Sequence, residues 1–346
     1  MTPPDTLPFG AEDAFLTDLS GVAALREAVA LGLIDALEDR RDAAALAQRL
    51  GVPERGLRLL LLMLEDAGVI AGGGLTEGFA AVWDTRRFVL CAKLEFLHRA
   101  ALDVGEDLHG LLFDLRGFQA RARTFGFFRY DRALDVSDAA LAASRPWVDY
   151  VTALSLTETP HLLPAIDLGG ARRLLEIGGN TGVLSEALLE RDPGLTAAVL
   201  DLPAVCALGR QRMAGRPAEA RLRFVAGDAR QEPWPGPADA ILFKSVLHDW
   251  PEAEMRQFLS RAAARLAPGG RLVICERIPM EDAAPPFPLW MLANLVFAPF
   301  YRAPQVYADI LSGLGLVPEP PKRVDLDLPF AVLAARKPVE GSSGSF

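Results

Sequence analysis

At 346 residues, with 51% apolar and 23% charged side chains, the chain is long enough for two packed domains and too apolar for a disordered one. Its formal net charge of −9 excludes a phosphate backbone as a natural partner, because nucleic-acid affinity comes mainly from cationic contacts. Cys91, Cys206 and Cys275 show no CxxC or Cys/His ligand spacing, so no disulfide framework and no metal site are expected, and a reducing cytoplasm is the expected location.

The opening MTPPDTLPFG has neither the basic start nor the apolar core of an export signal. From Ala14 to Leu37, apolar residues fall on more than one face of a helical pattern: Phe15, Leu19, Val22, Leu25, Val29, Leu33 and Ile34 among them. A helix apolar on several sides needs cover beyond its own layer, so the stripe is expected to pack against a second copy of the chain, or else to be buried within one subunit. Residues 42–82 then read as helix, turn at Gly51 to Pro53, second helix, and a hairpin around Gly72 to Gly74. That is a winged-helix pattern. Its second helix carries Arg55 and Arg58 before the run Leu59 to Leu64, which is expected to bury most of it and is far short of the ~20 residues of a membrane span. A module for homodimerisation is therefore favoured over a DNA-reading one.

Residues 1–102 are assigned to this domain and 103–168 to a helical connector rich in aromatics and arginines, where Tyr130, Trp147 and Tyr150 are candidates to line a substrate cavity. From 169 to 340 short strands and helices alternate, which predicts an α/β Rossmann-like domain built on a parallel sheet. Strands are expected at Leu174 to Ile177, Ala197 to Asp201, Leu222 to Ala226, Ala240 to Lys244 and Arg271 to Glu276; helices at Val183 to Glu190, Pro203 to Met213 and Glu252 to Leu266. The tail 341–346, GSSGSF, is expected to be flexible.

In such sheets ligands bind beyond the carboxyl ends of the strands, where the strand order reverses. The first strand ends in Glu176-Ile177-Gly178-Gly179-Asn180-Thr181-Gly182 rather than in GxGxxG. Glycines let a ligand approach the backbone, and the following helix offers unpaired N–H groups, but an acid before the turn repels a pyrophosphate and suits an ammonium. Asp201, ending the second strand, is placed to accept from ribose hydroxyls, and Asp228, after the third, from a purine amine. A nucleoside with an ammonium and no phosphate answers this description. S-adenosyl-L-methionine is such a ligand, with S-adenosyl-L-homocysteine as its product.

LLEIGGNTG, VLDLP, VAGDA, LFKSVLHDWPEAE and LAPGGRLVICERI follow one another as in the plant-type small-molecule O-methyltransferases, which the chain resembles over most of its length, winged-helix front included. The resemblance implies Gly178 and Gly182 at the methionine end of the cofactor. It further implies Asp201 with Leu202 at the ribose, Asp228 with Ala229 at the adenine, and Lys244 near the carboxylate. It places His248 as general base, a task that suits a side chain titrating near neutral pH, with Glu276 beside it. Asp249, with Glu252, is expected to cap the next helix. The family's second flanking glutamate falls in FAPFYRAPQVY, where Tyr301 and Arg302 stand instead. Arg302, with Arg129 and Arg132, is then a candidate clamp for a substrate carboxylate. Three readings follow: methylation of a hydroxyl; methylation of a thioether acid such as 4-methylthio-2-hydroxybutyrate, whose sulfur needs no base; and, from another class, a winged-helix regulator sensing a nucleoside.

Overall fold

The computed structural model describes residues 7–37 and 42–339; the tail expected to be flexible lies outside them. The chain divides into two compact units, Met1–Gly126 with Pro286–Val296, and Phe127–Pro285 with Phe297–Phe346.

In the first unit the single stripe expected from Ala14 to Leu37 is broken into pieces by local chemistry. The Asp18 side chain accepts from Gly21 N at 2.8 Å and starts α1 (Leu19–Ala30), and Gly32, at φ 69°, separates it from α2 (Leu33–Ala36). Leu16, Val22, Leu25, Leu33, Ile34 and Leu37 are at most 2% exposed inside this unit's own core, whereas Leu19 on α1 is 49% exposed. Asp42 caps α3 (Ala43–Leu50), which Gly51 ends in the left-handed conformation, and α4 (Glu54–Asp66) follows. The expected burial of Leu59 to Leu64 is corrected: α4 buries only Leu57 and Leu64, and Leu59 (57%), Leu62 (61%) and Met63 (39%) are exposed. Gly72 and Gly73, both at positive φ, make the tight turn between β1 (Ile70–Ala71) and β2 (Gly74–Leu75). The long α5 (Glu77–Phe113) is interrupted by non-helical backbone at Arg86 and Asp107, and the expected boundary at 102 falls inside the helical stretch between them; α6 (Leu115–Arg121) and α7 (Arg123–Phe127) are short.

The second unit begins with α8 (Asp138–Leu162), capped by Ser137. Then come β3 (Arg173–Ile177), α9 (Val183–Arg191), β4 (Thr196–Asp201), α10 (Pro203–Met213), β5 (Leu222–Ala226), β6 (Ala238–Lys244), α11 (Glu252–Arg265) and β7 (Leu266–Arg277). The expected strands and helices are all present, with bounds that shift by a few residues. Two short helices, α12 (Met280–Ala283) and, in the first unit, α13 (Leu292–Leu295), precede α14 (Pro304–Gly313), β8 (Val317–Pro318), β9 (Lys322–Val324) and β10 (Phe330–Arg336). The sheet order is β5-β4-β3-β6-β7-β10-β8, with β9 also on β10. Strands β3 to β7 pair in parallel, but β10 runs antiparallel to β7, so the sheet is mixed rather than wholly parallel.

Alternation along the strands divides the core into two layers. In β6, Leu242 packs with Leu188, Val199 and Phe224 on one face, while Ile241 and Phe243 pack with Phe258, Leu259 and Ile274 on the other. The order reverses between β3 and β6, which puts the crevice after Ile177 and Lys244. Among the described residues no helix is long and apolar enough to cross a membrane.

Candidate functional site

After β3 the chain turns through Gly178 at φ 66°. A Cβ there would lie 2.7 Å from Val246 Cγ2, so only glycine lets the two strand-end loops meet. Asn180 is left-handed as well, and its bonds over-determine that conformation. Its N–H donates to Asp201 Oδ2 at 2.7 Å, and its side-chain amide to Val148 O and Thr152 Oγ1 at 3.0 and 3.1 Å. Gly182, at φ 78°, serves packing instead of lining: a Cβ would meet Leu222 Cδ2 at 2.9 Å. Gly182→Ala is therefore expected to cost about 2–4 kcal/mol from left-handed strain plus overpacking; a chemical-denaturation midpoint equal to the parent's would contradict this.

The crevice is a cleft of about 760 Å³, its open mouth included. Gly178, Asp201, Leu202, Asp228, Ala229, Tyr130 and Trp147, all singled out from the sequence, line it together. Asp201 accepts from Asn180 N and Leu202 N at 2.7 Å each, which leaves each oxygen a lone pair for a further donor. Burial pushes its carboxyl up to about 6. Asp228 is differently placed: Arg230 N, Nε and Nη2 and Gln231 Nε2 fill its lone pairs, and the bond from Arg230 holds it below the usual carboxylate range. Arg230 also lies over the Trp250 ring at 4.7 Å. Three polar atoms of lining residues have no protein partner: Trp147 Nε1, Asn180 Oδ1 and Ser245 Oγ. The sequence by itself assigns no role to Asn180, Arg230, Ser245, Trp250 or Phe258. Asn180 and Trp250 stand inside the quoted motifs, whereas nothing in the sequence marks Phe258, which reaches the cleft from α11.

Beside the cleft, Glu276 organises the loop after β6. Its Oε1 accepts from Val246 N at 2.9 Å and Leu247 N at 2.7 Å, and its Oε2 lies 2.7 Å from His248 Nδ1. On the other side of the ring, Asp249 Oδ1 lies 3.3 Å from His248 Nε2, and Tyr130 OH donates to Asp249 Oδ2 at 3.1 Å. Burial by itself lowers the proton affinity of His248, but the charges of Glu276 and Asp249 outweigh it and leave the pKa raised. Glu276 and Asp249 thus place an acid on each side of the ring. The expected capping role is corrected accordingly: Pro251 occupies the N-cap of α11 without a side-chain bond, and Glu252 pairs with Arg256.

The arginine clamp is also corrected. Arg302 donates to Leu247 O at 2.9 Å and Trp250 O at 2.6 Å, so it fastens the histidine loop from below. Arg129 pairs with Asp131, and Arg132 is exposed; neither lines the cleft. Tyr301 sets its ring edge-on to His248 at 5.3 Å, with Phe297 at 6.3 Å. Tyr150 packs on Phe127 and Phe128, and burial raises its phenol well above the ordinary value. Lys244 is buried and ion-paired with Glu158, which also binds Arg277, so it neither faces solvent nor lines the cleft. Glu176 lies behind the turn, bonded to Ser185 Oγ at 2.5 Å, and burial pushes its carboxyl up to about 7.

Residues 123–316 match the profile of the O-methyltransferase domain family. The chain belongs to that family. It is an S-adenosyl-L-methionine-dependent methyltransferase. It is 30% identical over 321 residues to the mitomycin biosynthesis 6-O-methyltransferase of Streptomyces lavendulae, a match covering 88% of this chain and 86% of the relative. Similarity to the 3-hydroxy-5-methyl-1-naphthoate 3-O-methyltransferase of Streptomyces sahachiroi is 34% over 140 residues, 40% of each chain. Among solved structures, the mitomycin 7-O-methyltransferase superposes with a TM-score of 0.73 at 26% identity, covering 91% of this methyltransferase and 94% of that chain.

Proposed function

We propose that the cleft binds S-adenosyl-L-methionine and that His248 takes the proton from an aromatic hydroxyl as its oxygen is methylated. The observation that carries this reading is the half-satisfied Asp201 and the Glu276–His248 pair on either side of one switch point. The lining suits a cation: Asp201 and Asp249 are acidic, and the guanidinium of Arg230 is bonded to Asp228. When bound, the cofactor supplies a methyl group on a positively charged sulfur. Asp201 accepts from the ribose hydroxyls. Asn180 Oδ1 and Ser245 Oγ accept from the ammonium, the place expected for Glu176, whose carboxylate is turned to Ser185. Asp228 would take the purine amine in place of one of its present donors, Arg230 or Gln231. Glu276, fixed by two backbone N–H groups, accepts from Nδ1–H of His248 and so keeps Nε2 as the basic nitrogen.

The acceptor class follows from what surrounds the ring. Tyr301 and Phe297 stand edge-on to His248, an aromatic surround that suits an aromatic acceptor. With Arg302 held by two carbonyls, a thioether acid has no guanidinium to bind its carboxylate, and O-methylation is the better supported reading. A regulator that reads DNA is disfavoured as well, since Arg58 is paired with Glu54 on α4. Self-association through the first unit is supported by the exposed Leu19 of α1 and Leu59, Leu62 and Met63 of α4.

Calorimetry with S-adenosylhomocysteine is expected to show one site per chain. A mass-spectrometric screen of phenols, hydroxyacids and thioether acids is expected to show one added methyl on phenols. Absence of S-adenosylhomocysteine binding, or methylation confined to thioether acids, overturns the assignment.

A further inference from the structure

The inference rests on the reading above, that a cationic methyl donor fills the cleft and His248 takes the acceptor's proton. Glu276 receives Nδ1–H and cannot turn away, because its other oxygen holds two backbone N–H groups. Nε2 then lies 3.3 Å from Asp249 Oδ1, an ion-pair contact. The carboxylate's negative charge at that distance favours a proton on the ring. Yet a base must present Nε2 without one. The other oxygen of the same carboxylate, Oδ2, is held by the hydroxyl of Tyr130, and both Tyr130 and Asp249 line the cleft. Asp249 thus touches the base with one oxygen and the cofactor's wall with the other.

We propose that Asp249 is a positioning residue that covers the basic nitrogen of His248 while the cleft is empty and is drawn off it by a cation bound in the cleft. A positive occupant competes with the imidazolium for the carboxylate, and a neutral one does not. During the reaction the acceptor's O–H bond breaks as Nε2–H forms, its oxygen gains the methyl, and the sulfur keeps the electron pair of the broken bond. The sulfur has then lost its charge, and Asp249 is free to return to the newly protonated ring. The base is thereby exposed only when the donor is loaded.

The other groups facing His248 do not supply this switch. Glu276 is immobile, Arg277 opposes protonation but is ion-paired with Glu158, Tyr301 offers a ring edge, and Arg302 is fixed on carbonyls.

The test is an NMR titration of the full chain carrying ring-labelled histidine. The four histidines are separated by identifying the signal missing from His248→Gln. Titrations are run on the free chain, with sinefungin, whose amine carries the charge where the donor has its sulfonium, and with neutral S-adenosylhomocysteine. The expected result is a raised His248 pKa in the free chain, a fall of about one unit with sinefungin and little change with S-adenosylhomocysteine. In Asp249→Asn the value is expected to be low in all three states. Tyr130→Phe, which removes only the second donor to the carboxylate, is expected to raise the free-chain value further. Identical free-chain titrations of the parent and Asp249→Asn overturn the proposal, as do equal shifts with the two ligands or an unmoved value in Tyr130→Phe. If neither ligand binds by calorimetry, the cofactor reading fails instead, and the free-chain comparison still decides whether Asp249 clamps the ring.

Discussion

His248→Ala is expected to lower the rate of phenol methylation by about 10² to 10⁴, the range for removing a general base, while S-adenosylhomocysteine affinity stays near the parent's. The separation follows from position. The imidazole is oriented by Glu276 and Asp249 but is absent from the cleft's lining, whereas the cofactor's proposed partners lie on the turn after β3 and at the end of β4. Removing the ring leaves Glu276 bonded to Val246 N and Leu247 N, so the loop keeps two of its anchors. His248→Gln, which preserves volume and a donor, guards against a loss caused by collapse. Equal losses of rate and affinity would point to loop disorder, and a loss under tenfold would put the sulfur acceptor ahead of the hydroxyl. The same geometry fixes a pH sign. The base must be neutral, and its pKa is raised above the ordinary 6.5, so kcat/KM is expected to rise with pH through a limb lying above that value.

Asp201→Asn is expected to weaken S-adenosylhomocysteine binding by about a hundredfold, since two hydrogen bonds to a charged acceptor contribute roughly 1.5–3 kcal/mol each before compensation. Its pH dependence is the sharper measurement. In the free chain the carboxyl is raised to about 6, and the ribose hydroxyls donate to its ionised form. Affinity is therefore expected to be full above pH 6 and to fall, by up to about tenfold per unit, as pH drops below it; the Asn variant is expected to be flat there. Burial and, to a smaller extent, the charge of Asp201 raise Glu176 to about 7, so that carboxyl is expected to titrate lower in the variant. Parallel pH profiles for the two would remove Asp201 from the ribose site.

Much of this was legible before any coordinates. Hydrophobic alternation gave the strands and helices of the second unit, since a strand in a covered sheet must present apolar residues to both layers. The turn after the first strand was readable because glycines following a strand mark a positive-φ turn that other residue types adopt only rarely. Carboxylates at strand ends, Asp201 above all, could be placed from the chain order alone. The antiparallel β10 was missed, lying past the last segment whose pattern was read.

What the sequence could not supply was the partner of each charged side chain. Arg302 looked like a free guanidinium and proved to be the fastening of the histidine loop, 55 residues away along the chain. Lys244 looked like a cofactor ligand and is ion-paired with Glu158 from α8. Asp249 looked like a helix cap and instead faces His248 and Tyr130, the latter 119 residues earlier. Periodicity is a local property, fixed by which side of a helix or strand must be covered. Charge pairing is decided by which ends of distant elements the fold brings within about 3 Å, so the backbone could be read from the sequence while the wiring of the site had to wait for the tertiary structure.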